Sequence, residues 1–204
     1  EAEWILNFSC KMIAKLLPLV PLAQATLYCP SESEFQIGDG ASWTGSGWRI
    51  KGGGGVQGKT SFNMLGGYVE FDFDNGGSKY GVNNNFYTIS PDHPYTSYDD
   101  YCDGQGPEAS SPTGTYCMEL DIWEGNGNKE GATTWHTEFN RDGGCDMGGC
   151  AADYSGGGQM HFRVDFDTNG QWHVSIDGQE NGDFNPSPSS AAMEKVRDTM
   201  ERVR

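Results

Sequence analysis

Apolar and polar residues alternate strictly along three runs of the sequence. Val69, Phe71 and Phe73 oppose Glu70, Asp72 and Asp74; Phe162, Val164 and Phe166 oppose His161, Arg163 and Asp165; Trp172, Val174 and Ile176 oppose His173, Ser175 and Asp177. Side chains of a β-strand point to opposite faces in turn, so a period of two predicts half-buried strands with the apolar set facing a core. The last two runs flank Asn169-Gly170, a dipeptide that tolerates positive φ and so favours a tight hairpin. Further strands are predicted over 48–51, 85–89, 118–123 and 133–139, between loops rich in Gly, Asn, Asp and Pro. Short strands with frequent turns predict one all-β domain, a sandwich or barrel, over residues 26–188. After it the pattern changes. A Pro- and Ser-rich break is followed by Ser190 as a helix cap and by Met193, Val196, Met200 and Val203 at helical spacing. Residues 189–204 therefore read as a short terminal helix, and a C-terminally truncated domain with further sequence beyond it is expected.

The sequence MELDIWE, residues 118–124, breaks the alternation at one point. Met118, Leu120 and Ile122 share one face and Glu119 and Asp121 the other, but strict parity sends Glu124 to the apolar side. One extra residue between Asp121 and Glu124 would return it to the acids. Such an insertion is a β-bulge, a device that re-aims side chains beside active sites. A solvated polar face is the plainer alternative, because the run from Val69 to Asp74 alternates acids equally well. Two features favour the chemical reading: like charges on one strand face repel, and a bulge gives Glu124 a reason to be there.

Composition narrows the partners. With 13 basic and 29 acidic residues in 204, the net charge of -16 opposes nucleic acid and anionic membrane surfaces, and a monomer is expected. Residues 12–25, MIAKLLPLVPLAQA, carry a lysine, a short apolar run and a small-x-small end, the pattern of a secretory signal peptide. Residues 1–25 are thus expected to comprise upstream residues and that signal, with a secreted, extracellular protein starting at Thr26. Five cysteines then remain, so disulfides are expected. Cys145 with Cys150 would close a small loop, Cys102 with Cys117 is a second pairing, and Cys29 is the odd thiol.

Two other motifs lead nowhere. GGGVQGKT, from Gly53 to Thr60, fits the phosphate-loop pattern, but that loop should open a helix and here an alternating strand follows within ten residues. Asp165-x-Asp167-x-Asn169-Gly170 begins like a calcium loop, yet Ile176 stands where a glutamate is needed. No Cys or His spacing suggests zinc, and neither metal nor cofactor is expected.

With a bulge, Glu119 and Glu124 lie about four strand steps apart, about 13 Å between Cα atoms. Two inward-leaning glutamates can close that to the roughly 5 to 5.5 Å of a retaining glycosidase pair. Three carboxylates so close cannot all ionise independently, so one is expected to keep its proton and act as general acid. The sequence Glu119-Leu-Asp-Ile-Trp-Glu-Gly-Asn also resembles the E-x-D-x-x-E strand of glycoside hydrolase family 7, the cellobiohydrolases and endoglucanases, and more loosely that of the family 16 β-glucanases. Gly81-Val-Asn-Asn-Asn-Phe-Tyr-Thr-Ile is similar to that family's G-L-N-G-x-L-Y-F-V segment, and Tyr101-Cys-Asp-Gly-Gln-Gly-Pro to its Y-C-D-x-Q-C-P. Thr134-Trp-His136 lies where the family carries a histidine.

The resemblance implies a concanavalin-like jelly-roll β-sandwich that cleaves β-linked glucan, with β-1,4 linkages favoured. It implies Glu119 as nucleophile, Glu124 as acid/base and Asp121 as the residue holding Glu119. It also implies His136 as a supporting or substrate contact, with a structural histidine as an equal alternative; Asn83 could likewise face the substrate, although a turn asparagine is the plainer reading of that residue. Gly106 stands in place of the family's second cysteine, a basic segment is missing and the sequence is short, which together imply an open cleft and internal cutting. The competing expectation is a non-catalytic, glucan-binding lectin-like protein on the same fold. Trp43, Trp48, Tyr98 and Trp135 could stack on sugars, but aromatic residues dominate β cores as well.

Overall fold

A computed structural model describes residues 3–8, 28–60, 62–76, 83–89, 119–125, 130–136, 150–156, 158–168 and 171–184. Thirteen strands are defined there: β1 Glu3–Phe8, β2 Phe35–Ile37, β3 Ala41–Trp43, β4 Gly47–Lys51, β5 Val56–Gly58, β6 Tyr68–Asp74, β7 Asn84–Ile89, β8 Glu119–Gly125, β9 Glu130–His136, β10 Cys150–Ser155, β11 Gln159–Phe166, β12 Trp172–Ile176 and β13 Gln179–Phe184. The three alternating runs are β6, β11 and β12. They lie in a seven-stranded sheet of order β13-β12-β11-β6-β1-β4-β3, while a four-stranded sheet has the order β10-β9-β8-β7 and β2 pairs with β5 alone.

The two large sheets form a β-sandwich, and aromatic residues supply the contact. Phe162 of β11 stacks on Phe71 of β6 at 5.1 Å and meets Trp123 of β8 edge-on at 5.7 Å, and Phe71 lies 4.0 Å from Phe86 of β7. Phe71, Phe162 and Trp123 are fully buried. Each such ring contributes on the order of 1.5–3 kcal/mol by leaving water. Along β6, β11 and β12 the inward residues are the ones alternation selects, so there the period-two pattern acts directly as the packing instruction. At the far end of the larger sheet Trp48 is buried edge-on against Phe35 and Trp43. Trp48 is thus a core residue, and Trp43 is half-buried against it. Tyr98 lies outside the described residues, as does the side chain of Trp135.

Several turns follow from local chemistry. The hairpin between β11 and β12 forms as expected, closed by the Asp167 amide donating to the Gln171 carbonyl at 2.8 Å and by the Gln171 amide donating to Asp167 Oδ1 at 2.9 Å. The glycine-rich segment after β4 joins two strands and opens no helix. Its Gly54 leaves no room for a Cβ against the Asp39 carbonyl oxygen, and Lys59 spends its ammonium on the Ser33 carbonyl at 3.0 Å. Strand β13 follows an Asp177-Gly178 turn in which both residues take positive φ, 53° and 75°. That dipeptide is a hairpin signal in its own right.

Two expectations are corrected. Glu3–Phe8, expected upstream of the fold, is a strand inside it, hydrogen-bonded to β4 on one side and β6 on the other, with Leu6 in the core. A strand in the middle of a sheet can carry a continuous apolar run instead of alternation, and Trp4-Ile5-Leu6 is such a run. Cys29, expected to be the odd thiol, is disulfide-bonded. The signal-like residues 12–25, the helical tail 189–204 and Cys102, Cys117 and Cys145 lie outside the described residues. No helix among the described residues is long and apolar enough to cross a membrane.

Candidate active site

The acid strand β8 runs between β7 and β9 in the smaller sheet. Across β7, Glu119 faces Ile89 and Glu124 faces Asn85; across β9, Glu119 faces His136 and Glu124 faces Ala132. Five steps of β8 are therefore matched by four on each neighbour, and the register shifts between Asp121 and Glu124. An even number of ladder steps keeps both glutamates on one face. The bulge expected from parity is present, and it is what separates Glu124 from the apolar side.

Burial supports the same geometry. Leu120, Ile122 and Trp123 all belong to the inter-sheet core, so the two consecutive residues 122 and 123 both serve the interior while the acids on either side face away from it. Glu119 and Asp121 are nevertheless almost wholly withdrawn from solvent, at 1% and 3% exposure, whereas Glu124 is half-buried. Glu124 Oε1 accepts a 2.8 Å hydrogen bond from Nδ2 of Asn83, the residue just before β7. Asp121 lies across from Tyr87, which is 43% exposed, and on its other side from Thr134, which is buried. Glu119, Asp121 and Glu124 thus share one face of β8 by register, Asn83 is bonded to the last of them, and His136 lies opposite Glu119 by register.

Three residues that the sequence reading overlooked hold Trp123 and the bulge. Asn84 is fully buried and accepts the Trp123 indole N–H at 3.3 Å. A Cβ on Gly131 would stand 2.5 Å from the Trp123 ring, and one on Gly125 would stand 2.6 Å from Asn84 Oδ1 and 2.8 Å from the indole nitrogen. These glycines are there for close approach, since nothing else fits beside the ring. A signal for Asn84 did exist: alternation along β7 places it inward with a polar side chain, which demands a buried partner.

Acids elsewhere on the molecule are arranged differently. Glu70 and Asp72 of β6 clamp His161 of β11, with Nε2 to Glu70 at 2.8 Å and Nδ1 to Asp72 at 2.7 Å. The hydrogen bond to Asp72, joined by that to Glu70, raises the imidazole above its ordinary range against the opposing effect of partial burial. Arg163 beside it makes a paired contact with Asp165 at 2.8 and 2.5 Å and lies 3.9 Å over the Tyr68 ring. No group of three or more His, Cys, Asp or Glu among the described residues could hold a metal ion.

No family model and no curated protein matches the sequence. Among solved structures, one described as "Prominent members of the human gut microbiota express endo-acting O-glycanases to initiate mucin breakdown" aligns with a TM-score of 0.47 and 14% identity, over 74% of this chain and 56% of that chain. The protein thus spans little more than half of that structure's length.

Proposed function

We propose that the protein is a secreted, retaining, endo-acting glycoside hydrolase of β-linked glucan, cellulose-type β-1,4 linkages being favoured, on a concanavalin-like jelly-roll sandwich. The bulge of β8 carries this reading, because it aligns three carboxylates on one sheet face with two of them buried. Glu119 attacks the anomeric carbon. Glu124, nearer to solvent and oriented by Asn83, protonates the leaving oxygen and then activates the water that releases the sugar. Asp121 stands between them and orients Glu119. Asn83 and His136 contact substrate at the two ends of the acid row. No cofactor takes part, and the working unit is a monomer.

The test is Glu119→Gln with cellulose, mixed-linkage glucan and laminarin. Oligosaccharide binding should persist while turnover falls by about 10³-fold or more, and the wild-type product should appear first with its original anomeric configuration by proton NMR. Unchanged turnover in the variant would refute the assignment. A wild-type protein that binds glucan and releases no sugar would make it a lectin.

A further inference from the structure

A bulge leaves one residue outside the ladder, and its backbone groups then need partners from elsewhere. In β8 the residue opposite the bulge is Thr133 of β9, which lies between the pairs Asp121 with Thr134 and Glu124 with Ala132. Its hydroxyl donates to the Ile122 carbonyl at 2.9 Å in a region where both residues are fully buried. On the far side Asn181 of β13, in the opposite sheet, reaches Thr133 Oγ1 with its Nδ2 at 3.5 Å, the long limit of a hydrogen bond. An inward position on a strand next to the core ordinarily takes an aliphatic residue, and valine would have the same shape here. The hydroxyl is what distinguishes threonine.

We propose that Thr133 is a positioning residue that fixes where the extra residue of β8 sits. If the insertion moved by one place, the side chains between its old and new positions would exchange faces. A shift toward Gly125 would turn Glu124 inward and leave Glu119 and Asp121 where they are. By holding the Ile122 carbonyl, Thr133 ties the insertion to the one position that keeps all three acids together. The kinetic consequence rests on the hydrolase reading; the latch itself does not.

The experiment compares the full-length protein with Thr133→Val and Thr133→Ser, reading backbone hydrogen exchange across residues 119–125 and, separately, kcat, KM and the pH profile on β-glucan. Exchange in the valine variant should rise at least about tenfold at Trp123 and Glu124, with strands β6 and β11 unchanged, and the serine variant should match wild type. kcat should fall about 10- to 100-fold in the valine variant at nearly constant KM, with a displaced basic limb of the profile reporting a misplaced acid/base, and serine should restore both. If Thr133→Val does not fold, Thr133→Ser and Thr133→Ala, which differ only in the hydroxyl, repeat the comparison. Equal exchange with and without the hydroxyl would overturn the latch. Faster exchange with an unchanged pH profile and kcat would overturn its role in positioning Glu124. Absence of turnover in the wild type would count against the hydrolase reading, and exchange would then decide the latch alone.

Discussion

Strands β6 and β8 carry nearly the same sequence idea, acids alternating with large apolar residues, yet they set those acids in opposite surroundings. On β6 the alternation runs unbroken, Glu70 and Asp72 remain 23% and 50% exposed, and their neighbour β11 supplies His161 and Arg163 across the ladder. On β8 the alternation is broken by one residue, Glu119 and Asp121 are buried, and no register partner on β7 or β9 among the described residues is lysine or arginine. Acids that meet bases in water hold a sheet together by modest amounts. Acids withdrawn from water cost far more to keep charged than acids at the surface.

The sharpest way to break this comparison is to exchange the roles. Glu119→Gln should reduce sugar release by about 10³-fold or more, while Asp72→Asn, an equally acidic strand position, should leave release within about twofold; equal losses in a reducing-sugar assay would erase the distinction. Next in size is Gly131→Ala, which forces a methyl into the Trp123 ring and should destabilise the protein by about 1–3 kcal/mol, read by urea denaturation. The β6 acids predict a pH effect. The charged His161 ring contributes stability in full below about pH 6.5, its ordinary value, and loses it as pH rises through the higher folded-state value. Solvent screening at a ring 36% exposed keeps this below about 1 kcal/mol. His161→Gln should flatten the fall of the thermal midpoint as pH rises above about 6.5. Smallest is Arg163→Met, which gives up the Asp165 pair and the Tyr68 contact for about 0.5–1 kcal/mol, with a difference that shrinks in high salt.

How much of this was legible in the sequence depends on the range of the interaction. The bulge was legible because it is a local conflict: Glu124 has the wrong parity within one strand. The inward faces of β6, β11 and β12 were legible for the same reason. The clamp on His161 was not, because its register partner Asp72 is 89 residues away and alternation says nothing about which strands meet. Thr133 escaped notice because a threonine on a strand is ordinary until the carbonyl it serves is seen. Strand β1 was hidden by its own apolar run, which looks like the approach to a signal sequence when read without its two neighbours. The hairpin into β13 has a local signal in Asp177-Gly178, whose positive φ values turn the chain back to the edge of the larger sheet.

The span of the latch also bears on the order of assembly. Thr133 and Ile122 are 11 residues apart, so the hairpin of β8 and β9 can close soon after collapse begins. The pairing of β6 with β11 has to wait for a far longer loop to close. Strand β8 can thus acquire its shape while the sheet that will cover its apolar side is still unmade. During that interval Leu120, Ile122 and Trp123 would be open to other molecules, so the strand that carries the three acids is exposed to aggregation in the growing protein.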